Sequence, residues 1–464
     1  MRAGKVESDA IFKDVEKLGH ASRMIKRQGS AVQYIRLPTK SFCVACLVLT
    51  ISAGFGASTA IAEESTRAIP HTGFRDGKVW IDARYRYEFV DQANKLKNAN
   101  ASTLRTRVGV ESGFFHGFRV GVEGEFVVEL GPDSFNNTIN GKTQYPVVAD
   151  VQSAEVDQAY LESHHIPGVV ITGGRYRENL DNLRYVGSVA WRQNDQTFDG
   201  AKATIKAVPG VTVFYGYIGN VNRIFSDRSP VGNISSNVHL INVKSKPLLI
   251  GTLTGYTYLM EFFDVDTFPC VPTPLTPCSN ASYGGFLKGK QSLGHGLSFN
   301  YRLEYARQTD YGNQTLDYAV NYVRVAPGLS WGGFTTTLIY ELLGSDDGVA
   351  AFQTPLATGH IFNGFADVFL VTPATGLQDY FVDVRYKVPK SDGRLGSLSG
   401  LLLIGQYHEF RSDVGNIDYG SEFDFYAFLP IHEGWYTQFK YANYQAENFS
   451  TDTEKFIFGL GYKY

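Results

Sequence analysis

The sequence predicts an all-β chain: a transmembrane antiparallel β-barrel of about 18 strands, with long extracellular loops and short periplasmic turns. Three observations predict it. Segments alternating between apolar and polar residues recur along the chain, and a period of two marks a strand with two different faces. The connections between these segments sort by parity, tight after even-numbered strands and long after odd-numbered ones. The final segment, Lys455–Tyr464, places Phe456, Phe458, Leu460, Tyr462 and Tyr464 on one side and Lys455, Ile457, Gly459, Gly461 and Lys463 on the other.

The chain opens on an export signal. Ser41–Ala62 is an apolar run preceded by Arg36 and Lys40, and it closes on Ala60-Ile61-Ala62 ahead of Glu63. Residues 1–62 therefore read as a secretory signal peptide, with Met24 a possible true start before its basic Lys26-Arg27 pair. A membrane anchor is the alternative, but the apolar core is short and rich in Gly, Ser and Thr. Residues 63–77 read as a short periplasmic segment and 78–464 as the barrel. No later stretch has the length of a transmembrane helix, so a membrane span must be a closed barrel, which satisfies every backbone group in lipid.

The 464 residues carry 43 Lys and Arg against 46 Asp and Glu, a net charge of −3. That balance excludes the overall basic field that draws nucleic acid. Cys43 and Cys46 fall in the leader. Cys270 and Cys278 lie in a proline-bearing segment that no regular strand tolerates. In an exported loop this pair reads as a disulfide. Two thiolates are too few for a metal centre, so no metal or other cofactor is expected.

The strands start near residues 79, 102, 118, 154, 169, 198, 211, 237, 249, 281, 297, 315, 329, 377, 399, 419, 434 and 455. In the first, Ile81, Ala83, Tyr85, Tyr87 and Phe89 oppose Asp82, Arg84, Arg86 and Glu88. In the third, Val120, Val122, Phe126 and Val128 oppose Arg119, Glu123, Glu125 and Glu129, with Val127 out of pattern. Leu297–Tyr305 and Gln378–Val388 alternate in the same way. Tight turns are expected at Gly113–Gly117, His165–Gly168, Val208–Gly210, Lys246–Leu248, Leu293–Gly296, Ala326–Gly328 and Pro430–Gly434, with Pro389–Ser397 longer. Long loops are expected at 131–153, 178–197, 220–236, 264–280 and 344–376. Aromatic residues make up 14%, which fits interfacial girdles. A soluble sandwich or propeller has no reason to sort its loops by parity, and no blade repeat is present.

In a membrane barrel the apolar face meets lipid and the polar face lines the lumen. Parity then places Arg84, Arg86, Arg105, Arg107, Arg175, Arg177, Lys202, Lys244, Lys288, Arg302, Arg385 and Lys440 inside. Each arginine admits two roles: contact with a solute, since the guanidinium fork suits carboxylates, or structural pairing with inward Asp and Glu. Loop 178–197 carries Trp191, Arg192, Gln193, Asn194 and Gln196, a group able to narrow the mouth or stack a sugar ring, or simply to pack on itself. No nucleophile sits beside an orienting base, and no GxSxG elbow occurs, so no enzyme is expected.

The strings Asn100–Gly113, Gly174–Gly187 and Trp191-Arg-Gln-Asn-Asp-Gln-Thr-Phe-Asp199, with the later Ala366–Asp379 segment, resemble the alginate export porin family. The resemblance implies an outer-membrane barrel of 18 strands in a Gram-negative bacterium, a monomer, passing anionic or polar saccharide through an arginine-containing lumen gated by loops. It implies pore contacts at Arg105, Arg107, Arg175 and Arg192. The aromatic ending at Tyr464 looks like the signal by which the barrel assembly machinery recognises such chains. A porin for another small solute, or a structural or adhesive barrel, remain the alternatives.

Overall fold

A computed structural model describes residues 76–131, 133–263, 278–389 and 396–464. The leader, the segment up to residue 75 and Cys270 lie outside the described residues. Eighteen strands form one closed antiparallel barrel. In chain order they are β1 (Lys78–Gln92), β2 (Ala99–Glu111), β3 (Phe118–Glu129), β4 (Ser153–Ser163), β5 (Val169–Tyr176), β6 (Thr197–Ile205), β7 (Val211–Asn222), β8 (Asn233–Ser245) and β9 (Thr252–Phe262). They continue as β10 (Asn280–Gly294), β11 (Leu297–Asp310), β12 (Ala319–Trp331), β13 (Phe334–Leu343), β14 (Leu377–Lys387), β15 (Leu402–Arg411), β16 (Asp418–His432), β17 (Trp435–Ala446) and β18 (Thr453–Lys463). Each strand pairs with its sequence neighbours, and β18 closes on β1 with Tyr85 opposite Leu460. Closure removes both sheet edges, so no strand is left as a template for aggregation.

The alternation sorts the two walls as expected. Val79, Val120, Val122, Leu303, Tyr305, Leu338 and Tyr380 are exposed outside, while Arg86, Glu88, Glu123, Glu304 and Asp379 are buried inside. Among the described residues no helix is long and apolar enough to cross a membrane.

Three expectations need correction. The turn read at Ala326–Gly328 does not exist: β12 runs through it to Trp331, and the chain reverses at Gly332-Gly333. Pro327 is tolerated because the β12–β13 ladder has a gap between Val325 and Gly328, on the side where its missing N–H would have donated. Pro430 likewise lies within β16, and the turn is Glu433-Gly434. A Cβ at Gly434, whose φ is +87°, would fall 2.1 Å from the Lys463 carbonyl, so glycine is required there. The turn read at Lys246–Leu248 reaches Gly251, so β9 starts at Thr252.

The interior also departs from a simple polar lumen. The connection 177–196 between β5 and β6 and the connection 344–376 between β13 and β14 pack inside against the wall. Tyr185, Val186, Phe352, Leu356, Phe365 and Phe369 from these loops join Phe198, Ile218, Leu240, Tyr256, Tyr258, Tyr322 and Phe410 from the strands in one apolar cluster. One sector of the barrel thus holds a hydrophobic core of its own, and burial of that area holds the loops in place.

Candidate functional site

The candidate site is the charged cluster where the two loops meet the β1–β4 wall. Arg84 on β1 lies directly opposite Arg105 on β2, an arrangement of like charges that costs stability unless each is answered. The loops and wall carboxylates answer them. Arg84 donates to Gln193 Oε1 and the Ala190 carbonyl, each at 3.1 Å, and to the Arg192 carbonyl. Arg86 donates to both oxygens of Asp150, at 2.6 and 2.7 Å, and to the Trp191 carbonyl at 2.8 Å. Arg105 pairs with Asp82 at 2.5 Å. Arg107 bonds Glu125 at 2.5 Å and pairs with Asp195. All four arginines are buried.

Arg177 pairs with Glu123, Asp157 and Asp195. Asp157 is the extra residue of a β-bulge that sets Glu123 opposite Gln158 and Gly124 opposite Val156. Glu125, Asp157 and Asp195 bring carboxylate oxygens within 4.8 Å of one another. Arg107 and Arg177 answer that charge. Burial favours the neutral acid at Asp195, but the two guanidiniums outweigh it and lower its pKa.

The loops are tied to each other. Val186 and Leu356 form a parallel bridge. Gly187 N donates to the Leu356 carbonyl at 2.9 Å, and the Gln196 side chain spans the Gly187 and Leu356 carbonyls at 2.9 and 3.1 Å. Trp191 stacks on His360 with centroids 3.4 Å apart. His360 Nδ1 bonds Asp367 at 2.8 Å, and Lys440 Nζ donates to Nε2 at 2.7 Å. A neutral ring with its proton on Nδ1 satisfies both contacts. Burial, with Lys440 adding to it, pushes the His360 pKa down to about 3. Trp191 therefore carries His360 on one face, and the Arg192 guanidinium lies 4.1 Å from its ring centroid.

The far loop is pinned to the opposite wall. Asn363 donates to Glu341 at 3.1 Å and to Asp379 at 3.0 Å. Phe365 N donates to Asp424 at 3.0 Å and Ala366 N to Glu422 at 2.6 Å. Arg192 pairs with Glu88 at 3.0 Å and with Asp367 at 3.5 Å, which joins both loops to β1.

The remaining predicted residues scatter. Arg175 and Arg177 do not act as a doublet. Arg175 pairs across the ladder with Asp199 at 2.7 Å, and alternation puts it on the side of exposed Ile171 rather than in the lumen. Arg302 lies opposite Lys288, bonds Glu304 at 2.8 Å and covers the Phe286 ring at 3.7 Å. Arg385 pairs with Asp383 at 2.6 Å, and its side chain is 51% exposed. Cys278 is disulfide-bonded. Sequence reasoning missed Arg184 and Arg324, both paired to Glu341, at 3.2 and 3.0 Å. The imagined turn at 326–328 hid the phase of β12 that would have placed Arg324 inside. Nothing in the spacing of the 177–196 loop singles out Arg184.

Beside this cluster lies a cavity of about 520 Å³ lined by several loops, with Lys95, Arg192, Arg223, Asp367 and Lys455 among its charged residues. A closed barrel with an apolar exterior and a charged, loop-filled interior is an integral outer-membrane protein. Solved structures share the architecture. OpdO of Pseudomonas aeruginosa superposes with a TM-score of 0.63 at 16% identity, over 85% of this chain and 98% of its own. OccAB4 and OccAB2 of Acinetobacter baumannii superpose with TM-scores of 0.63 and 0.64 at 13% and 14% identity, over 85% of this chain and 99% of each of theirs. At such identities the likeness establishes the fold. No protein family and no curated protein matches the sequence.

Proposed function

We propose that the protein is a passive diffusion channel for small anionic or polar solutes, carbohydrate acids foremost, acting as a monomer in the outer membrane of a Gram-negative bacterium. The observation that carries this reading is Lys288 directly opposite Arg302 on the inner wall. Opposed like charges are unfavourable, and here Lys288 is exposed rather than buried against loop carboxylates. Exposed Lys244 extends the cationic wall to β8, while Lys202 on β6 is paired with Glu178 at 2.8 Å. An anion passing along it exchanges one weak contact for the next, which permits both entry and exit. Arg385, its side chain 51% exposed, is the arginine of the predicted set best exposed to such a solute, while Arg302 borders the solute's path only through its place opposite Lys288. Arg84, Arg86, Arg107 and Arg192 act through the loops they hold, and so set the width of the passage, while Arg105 is taken up by Asp82 of the wall.

Export of a uronic-acid polymer is the narrower reading. It rests on the Trp191–Asp199 string, and it requires the two tied loops to separate from the wall. Small solutes need no such opening, and we favour them for that reason. We assign the chain no reaction: His360–Asp367 and His408–Asp379 are buried pairs that hold loop and wall. Reversal potential in a KCl gradient, with the protein in a planar bilayer, is the test. Anion selectivity that falls in Lys288→Glu and Arg302→Glu supports the channel, and block by uronate oligosaccharides supports the sugar acid. Cation selectivity unchanged by either substitution sinks the anion path, and absence of conductance leaves a structural barrel.

A further inference from the structure

The cavity beside the charged cluster has an unbalanced lining. Lys95, Arg192, Arg223 and Lys455 reach it, and among its lining residues Asp367 is the one carboxylate. Asp367 belongs to the 344–376 loop, and both its oxygens are engaged. Oδ2 accepts from Lys455 Nζ at 2.7 Å and lies 3.5 Å from Arg192 Nη2, while Oδ1 bonds His360 Nδ1 at 2.8 Å. Arg192 has a second partner in Glu88. Lys455 is buried, and Asp367 is its ion-pair partner among the described residues. The Asp367 backbone stands at φ +62°, in the left-handed region that residues other than glycine rarely adopt. An acid group fixed on two cations at a cavity wall, in a conformation that disfavours it, has the character of a tethered ligand. The rest of the lining says what kind of free ligand replaces it. Val147 and Leu370 line the same cavity and are 45% and 57% exposed, and Phe225 and Val368 line it too. Apolar surface left to water inside a concave site gains from an apolar ligand body.

We propose that this cavity binds a monocarboxylate with an apolar body, whose acid group takes the place of Asp367 on Lys455 and Arg192 and so frees the 344–376 loop. The inference rests on the reading of the protein as an anion channel, and adds to it an opening operated by ligand. A single acid group matches, since it is a single carboxylate that Lys455 and Arg192 share. Displacement sets the affinity. A tethered acid competes at an effective concentration of millimolar order. Binding to the intact chain is therefore weak, which also lets the ligand leave. Departure of Asp367 takes the acceptor from His360 Nδ1, and with it the contact that orients the ring against Trp191. Binding and loop release are linked, so whatever frees the loop also tightens binding.

The test is calorimetric titration of the full-length protein, folded in detergent micelles, with cyclohexanecarboxylate. Cyclohexanecarboxamide removes the charge, and glucuronate keeps the acid on a ring of the same size that carries hydroxyls. Weak binding of cyclohexanecarboxylate is expected in the parent and tighter binding in Asp367→Asn. Adding Lys455→Met to Asp367→Asn is expected to weaken binding again by about tenfold or more, the scale of one charged hydrogen bond. Heat-modifiable gel mobility checks that each variant is folded. In the parent, cyclohexanecarboxylate is also expected to raise protease cleavage within 344–376, a readout that needs no substitution. Equal affinity of the parent and Asp367→Asn, or cleavage that the acid leaves unchanged, would overturn the displacement of Asp367. Equal binding of the carboxamide would overturn recognition of the acid group, and equal binding of glucuronate the apolar body. Binding is read without conductance, so the two readings fail separately. A chain that binds the acid but conducts nothing would sink the channel and keep this site, and a conducting chain that binds no acid would sink the site alone.

Discussion

Glu88 has no exposed surface and depends on Arg86 and Arg192, each at 3.0 Å, to carry its charge inside the barrel. Removing one partner of a buried pair leaves a charge that the interior cannot solvate. Arg192→Ala is accordingly expected to cost roughly 3 kcal/mol. Arg385→Ala, on a half-exposed side chain, should cost under about 1 kcal/mol. Urea unfolding in detergent, followed by heat-modifiable gel mobility, compares the two, and equal losses would refute this division of roles. His360 gives the pH dependence. Its folded pKa, about 3, lies below the ordinary histidine value of 6.5, so below that value the unfolded or released loop binds the proton first. Loop retention is therefore present above pH 6.5 and declines as pH falls toward 3. Asp367 is held low by Lys455, His360 and Arg192 against the opposing effect of burial, so it stays charged through this window. Protease cleavage within 344–376 should rise on acidification, and His360→Phe, which keeps the stack on Trp191, should flatten that profile.

At the scale of the element, the two inner loops behave as one body because backbone joins them. Leu356 is fully buried in the apolar cluster and supplies the carbonyl that both Gly187 and Gln196 contact. Leu356→Asp places a charge where no partner waits. It is expected to release both loops together, raising single-channel conductance and exposing 177–196 and 344–376 to protease at once. Release of one loop alone would show that the bridge does not couple them. Gly364 is a second anchor: its φ is +89°, and a Cβ there would lie 2.2 Å from Glu422 Oε2. Gly364→Ala should loosen only the far loop. The strands themselves were readable from alternation, and the starts of β3, β5, β7, β11 and β14 coincide with expectation. Two of the three misplaced turns share a cause. Pro327-Gly328 and Pro430 carry turn chemistry, but a barrel strand accepts proline at or beside an irregularity of its ladder.

For the whole molecule, closure is the decisive event. Tyr464 N donates to the Ile81 carbonyl at 2.9 Å, so the last residue joins the seam between β18 and β1. Deleting Tyr464 should slow appearance of the heat-modifiable folded form, while stability once folded changes little because the rest of the β1–β18 ladder survives. A folding rate equal to that of the intact chain would deny the terminus any part in assembly. The period-two pattern, the parity of the loops and the sidedness of β1, β3, β11 and β14 follow from the sequence alone, because alternation is local and each strand displays both its faces in a few residues. The pairing of those faces does not. Whether Arg86 meets a solute or Asp150, whether Trp191 is open or covered by His360, and which side Arg175 takes depend on residues far apart in the chain. Only the tertiary structure decides them, because buried charges and rings find their partners through the folding of loops into the barrel, and no local period encodes where a loop will go.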